Sequence, residues 1–247
     1  MLLLATTACS QELNDPAARG GRQAPSAGGE PARIVFLGDS ITEAGAKPGG
    51  YVSLVGSSLR RLYPGRRIEV IGAGEVGNRV PDLLDRLRRD VLSQSPTHVV
   101  IYIGVNDVGK QPPPGGNTGL AEYRDGLDDL VRRIRASGAH VILCTPGVIG
   151  EDLRNPTREN RLLDQYAEAS RQVAATNGAR VCDLRAAFGG YLEEFNTKGR
   201  YEGILTYDGV HLNGEGNRFV ARQIVQVLGQ ELQPSPPPPS GRNPYLS

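Results

Sequence analysis

The chain has no tryptophan, one methionine and only three histidines among its 247 residues. Its three cysteines are too few for a disulfide-dense scaffold, and their spacing fits no zinc site. The 28 basic and 27 acidic residues leave a net charge of +1, which provides no global field for nucleic acid or a membrane surface. With 38% hydrophobic and 22% charged residues, the composition is that of a globular protein, and the length suffices for one well-packed domain.

Four segments of different composition are expected along the chain. Residues 1–9 (MLLLATTAC) form a short apolar run that leads to small residues and Cys9, a pattern typical of an export signal and similar to a bacterial lipobox. Residues 10–32 are expected to be a flexible tether, 33–232 the folded domain, and 233–247 a Pro-rich disordered tail. We therefore expect an exported protein of the periplasm or cell envelope. No basic residue precedes the apolar run, so lipidation of Cys9, which would be the protein's one link to a membrane, stays open.

Short apolar runs alternate with longer segments of helical periodicity. The predicted strands are 34–37, 68–71, 98–103, 140–144 and 180–183, and the predicted helices are 51–62, 81–93, 120–136, 156–177 and 214–228. Strands that alternate with helices imply right-handed crossovers and a parallel sheet covered on both faces. We predict the α/β class, with a three-layer α/β/α sandwich around a five-stranded parallel sheet of flavodoxin-like order 2-1-3-4-5.

Residues suited to catalysis follow the first three predicted strands. Ser40 ends a Gly-Asp-Ser triplet after the first strand, Gly77 follows the second, and Asn106 follows the third. Sites in parallel sheets form beyond the carboxyl ends of the strands, and the order 2-1-3 makes these three strands neighbours. We therefore expect Ser40, Gly77 and Asn106 to meet at one edge of the sheet.

The histidines are expected at two different edges. His98 and His140 begin their predicted strands, which puts them at the edge opposite Ser40. His211 lies just before the last predicted helix, and Asp208 lies three residues before it. A serine hydroxyl needs a base within hydrogen-bond reach, and a carboxylate three residues away can fix the tautomer of that base. His211 and Asp208 are therefore the expected partners of Ser40.

Three neutral donors are expected to form an oxyanion hole: the backbone N–H groups of Ser40 and Gly77 and the side-chain amide of Asn106. The expected reaction is acyl transfer to Ser40 and then hydrolysis of the acyl-enzyme. Each motif alone has a plainer interpretation as a turn, a polar loop or a helix cap, but their agreement in one place favours catalysis. Asp39 and Asp107 are interpreted as structural, with Asp39 holding the turn before Ser40.

These motifs resemble the SGNH hydrolase superfamily, also called GDSL lipases and esterases. The resemblance covers about residues 33–228, and the first block reads IVFLGDSITEAG. It implies a carboxylic ester hydrolase that needs no metal or organic cofactor. The family's nucleophile, oxyanion glycine, oxyanion asparagine, aspartate and histidine fall on Ser40, Gly77, Asn106, Asp208 and His211, respectively.

Substrate specificity is expected from three loops at this edge, over residues 109–119, 145–156 and 187–207. The last contains five of the thirteen aromatic residues, either as a platform for substrate or as the packing of a lid: Phe188, Tyr191, Phe195, Tyr201 and Tyr207. We expect acetylated carbohydrate as the substrate, with short-chain or lysophospholipid esters as alternatives. A catalytically silent glycan-binding module and an O-acyltransferase remain alternative functions, and the sequence leaves the oligomeric state open.

Two smaller sets of residues are given structural interpretations. Arg86, Arg88 and Arg89 form a basic cluster that we interpret as the solvated face of a helix, because one short segment is not a nucleic-acid footprint. Cys144 and Cys182 lie in apolar, strand-like runs, which favours buried free thiols over a disulfide.

Overall fold

The computed structural model of the chain describes residues 30–109 and 117–233. The predicted signal segment with Cys9, most of the tether and tail, and the centre of the 109–119 loop lie outside these residues. Within them, the elements in chain order are β1 (Ala32–Gly38), α1 (Ser40–Gly45), α2 (Tyr51–Leu62), β2 (Ile68–Gly74), α3 (Val80–Asp90), a 3₁₀ turn (Leu92–Gln94), β3 (His98–Tyr102), α4 (Leu120–Ala136), β4 (His140–Cys144), α5 (Arg158–Asn177), β5 (Arg180–Cys182), α6 (Leu184–Phe195) and α7 (Gly214–Glu231).

The five strands form one parallel sheet in the order β2-β1-β3-β4-β5, which confirms the predicted topology. The central strand β3 is buried along its whole length, and β1 is buried at every position except Arg33. Strands covered on both faces are apolar throughout and do not alternate with polar residues, which explains the continuous runs in the sequence.

Helices cover both faces of the sheet. Right-handed crossovers place α2 on one face, where it packs against α7, and α3, α4 and α5 on the other, where they pack side by side. On α4 the predicted apolar stripe is fully buried: Tyr123, Leu127, Leu130, Val131 and Ile134. Burial of each such side chain is worth about 1.5–3 kcal/mol. Within the described ranges, none of the helices is both long and apolar enough to cross a membrane.

Two helices differ from the sequence prediction. The segment 187–207 was predicted as a loop, but α6 continues to Phe195, because Phe188 and Leu192 are buried and Phe188 packs against Phe219 of α7, with ring centroids 5.3 Å apart. The pair Gly189-Gly190 lowers helix propensity and hid this helix in the sequence. The other helix, α1, begins at Ser40 itself, where the sequence indicated only a turn.

The second strand is three residues longer than predicted and carries the chain closer to α1. Gly74, its last residue, pairs with Gly38 at the end of β1. A Cβ atom at Gly74 would overlap the backbone nitrogen of Glu43 in α1, so only glycine permits this approach.

At the far side of the sheet, Cys144 and Cys182 lie opposite one another on β4 and β5 as buried free thiols, as predicted.

Candidate active site

Ser40 lies where β1 passes directly into α1. Asp39 caps this helix, since its buried carboxylate accepts a hydrogen bond from the Ile41 N–H at 2.9 Å, which agrees with the structural role predicted for Asp39. A Cβ atom at Gly38 would overlap the Tyr102 carbonyl on β3 and the Thr42 hydroxyl, so glycine is required before the turn. This connection fixes the Ser40 hydroxyl at the carboxyl edge of the sheet.

A continuous hydrogen-bond chain joins Ser40, His211 and Asp208. Ser40 Oγ lies 2.9 Å from His211 Nε2, although 171 positions separate the two residues. His211 Nδ1 lies 2.7 Å from Asp208 Oδ2, and the other carboxylate oxygen accepts the N–H groups of His211 at 2.7 Å and Val210 at 3.0 Å. Because an ionised carboxylate only accepts, Nδ1 carries the proton and Nε2 is free to accept from Ser40. The sequence predicted these three residues together.

The charge on Asp208 follows from these contacts. Partial burial on its own would raise the pKa of Asp208, but the hydrogen bonds from the His211 side chain and from the His211 and Val210 N–H groups outweigh it and lower the pKa. Asp208 is therefore ionised at neutral pH. In that form it holds the His211 ring in one tautomer and one orientation.

Gly77 and Asn106 lie beyond the ends of β2 and β3. Gly77 has a φ of +77°, which favours glycine, and an added Cβ atom would meet no atom within 4 Å. Asn106 Nδ2 donates to the Asn78 carbonyl at 3.0 Å. A side-chain amide has two N–H groups, so this bond orients the amide and leaves the second N–H for another acceptor.

Glu151, which the sequence did not single out, holds the segment that leads to Asp208. Its fully buried carboxylate accepts the N–H groups of Ile204 at 2.8 Å and of Leu205 and Thr206 at 2.6 Å, and the Thr206 hydroxyl at 2.9 Å. The partners lie more than 50 positions away, so no local pattern could reveal them. The one available signal was the apolar run before Glu151. It indicates burial, and the predicted specificity loop 145–156 is indeed buried from residue 145 to residue 151.

Arg86 is also buried, and the prediction that it lies on a solvated helix face is wrong. Only 5% of it is exposed, whereas Arg88 and Arg89 are exposed as predicted. On α3 it shares the buried face with Leu83 and Leu87, a spacing that could have revealed it in the sequence. The guanidinium donates to backbone carbonyls at the ends of β1 and β2.

The five aromatic residues predicted as a platform or lid divide into two groups. Phe188 and Tyr191 pack against Phe219 and hold α6 on α7, and the exposed Phe195 packs against Tyr191. Tyr207 is 61% exposed, and its ring stacks on His211 with centroids 5.7 Å apart and an interplanar angle of 15°. Tyr201 is 42% exposed and lies against Gly209, in the turn between Asp208 and His211. Tyr207 therefore borders the catalytic histidine candidate, and Tyr201 borders the turn that leads to it.

The other two histidines lie at the opposite edge, as predicted. The rings of His98 and His140 stack with centroids 5.2 Å apart at the start of β3 and β4. Burial, together with the nearby His140 and Arg66, lowers the pKa of His98 to about 4. Within the described residues, His, Cys, Asp and Glu form no group of three or more that could hold a metal ion.

Two buried carboxyl groups lie beneath the candidate site. Burial raises the pKa of Asp39 to about 7, only partly offset by the hydrogen bond from Ile41, and the neighbouring Asp107 raises it further. Burial likewise raises the pKa of Asp107 to about 6, and the bond from the Val80 N–H offsets only part of that shift. Both groups therefore titrate near neutral pH, unlike Asp208.

Comparisons with known proteins cover most of the described domain. The sequence matches the model of the GDSL-like lipase/acylhydrolase family over residues 36–219. It is 34% identical over 214 residues to an acetylxylan esterase of Geobacillus stearothermophilus, covering 81% of this chain and 94% of that protein. It is 28% identical to an isoamyl acetate-hydrolyzing esterase 1 homolog of Mus musculus, covering 83% and 84%. The crystal structure of the acetyl xylan esterase AlAXEase superposes with a TM-score of 0.75 at 36% identity, covering 78% and 98%.

Proposed function

Because the chain belongs to the GDSL-like lipase/acylhydrolase family and is a carboxylic ester hydrolase of the SGNH type, we propose that Ser40 forms its acyl-enzyme. His211 is the general base in this proposal, and Asp208 orients it. The observation that carries the proposal is the pair of short contacts, 2.9 Å from Ser40 Oγ to His211 Nε2 and 2.7 Å from His211 Nδ1 to Asp208 Oδ2. Membership in a hydrolase family argues against the alternative of a silent binding module.

The proposed reaction proceeds in two halves. Ser40 Oγ attacks the acyl carbon of the ester while its proton passes to His211 Nε2. The tetrahedral intermediate collapses, the acyl–oxygen bond to the alcohol breaks, and the alcohol leaves with the proton from His211. Water then attacks the acyl-enzyme with the same proton transfers, which releases the acid and restores Ser40. Asp208 stays ionised throughout and stabilises the imidazolium that forms twice in each cycle.

The oxyanion that forms in each half of the reaction is assigned to three neutral hydrogen-bond donors. They are the Ser40 N–H, the Gly77 N–H and the Asn106 amide. Support for Asn106 comes from its bond to the Asn78 carbonyl, which occupies one N–H of the amide and orients the other. Neutral donors suit this task because they stabilise developing charge without competing with His211 for the proton.

We propose acetyl esters of carbohydrates as the substrate class. The acetylxylan esterase and the isoamyl acetate-hydrolyzing esterase 1 homolog are both named for acetyl esters. The alcohol is xylan in one and isoamyl alcohol in the other. The exposed rings of Tyr207, which stacks on His211, and Tyr201, which lies against Gly209, offer flat apolar faces of the kind on which sugar rings stack. The alcohol side of the substrate would therefore be a sugar.

Two measurements test the proposal. An active-site-directed fluorophosphonate should label the purified protein, and Ser40→Ala should abolish the label; equal labelling of both would contradict the role of Ser40. An ester panel should then favour acetylated xylo-oligosaccharides and p-nitrophenyl acetate over isoamyl acetate and p-nitrophenyl palmitate. Preference for the palmitate would contradict the proposed acyl group. Acetyl transfer to an added sugar in preference to water would identify an acyltransferase.

A further inference from the structure

We propose that Arg86 is a positioning residue that holds the oxyanion-binding half of the active site in shape. This inference rests on the proposed function, because it assigns Arg86 a task in the same ester hydrolysis. The guanidinium donates to three segments of the chain: the backbone at the end of β1 before Ser40, the backbone at the end of β2, and the Asn78 side chain in the loop that carries Gly77. It forms no hydrogen bond with Ser40 or His211, so it acts through the residues it holds.

The first task of Arg86 is to join the ends of two strands. Its Nη2 donates to the carbonyl of Gly38 at 2.7 Å, and the same carbonyl accepts the Glu75 N–H at 3.2 Å. Its Nη1 donates to the carbonyl of Ala73 at 3.0 Å. Gly38 lies two residues before Ser40, so the backbone that presents the Ser40 N–H is tied to the loop after β2.

The second task runs through Asn78, the residue after Gly77. Arg86 Nε donates to Asn78 Oδ1 at 2.6 Å. The backbone carbonyl of Asn78 in turn accepts the Asn106 amide at 3.0 Å. One guanidinium therefore fixes the residue that both follows Gly77 and orients Asn106, so displacement of Asn78 would disturb two oxyanion donors together.

The shape of the guanidinium suits this position better than charge alone. Its planar fork donates in several fixed directions, whereas a lysine ammonium is a single point with three donors. The positive charge is balanced by Asp90 at 3.0 Å and more distantly by Glu75 at 3.9 Å. Arg86→Lys should therefore keep the charge beside Asp90 and lose the simultaneous hold on Gly38, Ala73 and Asn78.

The first measurement compares kcat and KM of the full chain on p-nitrophenyl acetate. Arg86→Lys should lower kcat by about 10- to 100-fold with KM nearly unchanged, because oxyanion donors act mainly in the transition state. Arg88→Lys, on the exposed face of the same helix, is the matched control and should keep full activity. Unchanged kcat in Arg86→Lys would overturn the inference.

A double-mutant cycle separates positioning from general loss of stability. Asn106→Ala alone should lower kcat by about 10²- to 10³-fold. If Arg86 works through Asn106, adding Arg86→Lys to Asn106→Ala should cost less than about five-fold more, because coupled residues are not additive. Losses that simply multiply would overturn the proposed route from Arg86 through Asn78 to Asn106. Thermal unfolding of all four proteins excludes loss of fold as the cause.

A second variant is available if Arg86→Lys does not fold. Asn78→Ala removes the side-chain acceptor of Arg86 and leaves the bonds to Gly38 and Ala73 intact. It takes the place of Arg86→Lys in the same cycle. We expect it to lower kcat less than Arg86→Lys does, and we expect its effect and that of Asn106→Ala to be non-additive in the same way. Full kcat or a multiplied loss would overturn the proposed route from Arg86 through Asn78 to Asn106. An active Ser40→Ala protein would instead overturn the proposed function itself, a result that these variants cannot mimic.

Discussion

The proposed active site has an oxyanion side, with Gly77 and Asn106, and a base side, with Asp208 and His211. Buried ions of opposite charge hold the two sides. On the oxyanion side the strand ends turn the carbonyls of Gly38 and Ala73 inward, and the cation of Arg86 satisfies them. On the base side the segment 204–206 turns its N–H groups inward, and the anion of Glu151 satisfies them. A buried ion is tolerated when it is fully hydrogen-bonded, and here the backbone supplies most of the partners. The direction in which each segment turns its peptide groups thus decides the sign of the ion beneath it.

Arg86 and Glu151 also differ in the number of chain segments that they bind, and we call these two residues the anchors of the site. Arg86 divides its bonds among three separate pieces of the chain and has Asp90 as an ionic partner. Glu151 concentrates all the bonds of its carboxylate on one short segment, which leads directly to Asp208 and His211. Substitution of Arg86 should therefore lower mainly kcat. Substitution of Glu151 should lower both the free energy of unfolding and the catalytic rate.

The largest expected effect tests whether the base side depends on His211 alone. His211→Ala should lower kcat/KM by about 10⁴-fold or more, because it removes the base to which Ser40 is hydrogen-bonded. In the wild-type protein kcat/KM should fall in acid while the fold persists, since a protonated ring cannot accept that proton.

His140→Ala is the matched control for this test. His140 lies at the opposite edge of the sheet, and its side chain is 62% exposed. Activity should survive in this variant. A folded His140→Ala protein as inactive as His211→Ala would refute the argument that the sheet edge divides the histidines.

The next effect distinguishes the two anchors. Glu151→Gln keeps the shape of the side chain but places an N–H₂ group against inward-facing N–H groups. It should lower the free energy of unfolding by about 2–4 kcal/mol and reduce kcat/KM about ten-fold, because a buried network that loses one acceptor leaves donors unpaired. Thermal unfolding and ester hydrolysis measure the two losses. Glu202→Gln, at an exposed position in the same region, should change neither. Equal stability of Glu151→Gln and the wild-type protein would remove the proposed contrast with Arg86.

The sequence predicted the sheet order and the meeting of Ser40 with His211, because strand periodicity and parallel topology together decide which residues share an edge. It did not predict Glu151 or the burial of Arg86, because several of their partners are backbone groups that lie 13 to 55 positions away. The helical spacing of Arg86 with Leu83 and Leu87 was a local sign of its burial, but the distant acceptors that make burial of a charge tolerable are not encoded locally. The helix α6 was missed for a different reason, since tertiary packing of Phe188 overrides the weak propensity of its glycine pair.

The smallest expected effect concerns Asp39, a buried carboxyl group near Asp107 and His211. Its pKa is raised by burial from 3.8 to about 7, so between these pH values the folded protein holds a proton that the unfolded chain has released. The stability associated with this proton is fully present below about pH 4 and is lost as the pH rises through 7.

Asp39→Asn keeps an acceptor for the Ile41 N–H and removes the buried charge. The variant should therefore unfold with a free energy about 2–4 kcal/mol higher than the wild-type protein at pH 8 and show little difference at pH 4. Asp85→Asn, at an exposed position on α3, should show no such dependence on pH. Urea unfolding at the two pH values measures the difference, and a gain of equal size at both would mean that burial of the charge is not its cause.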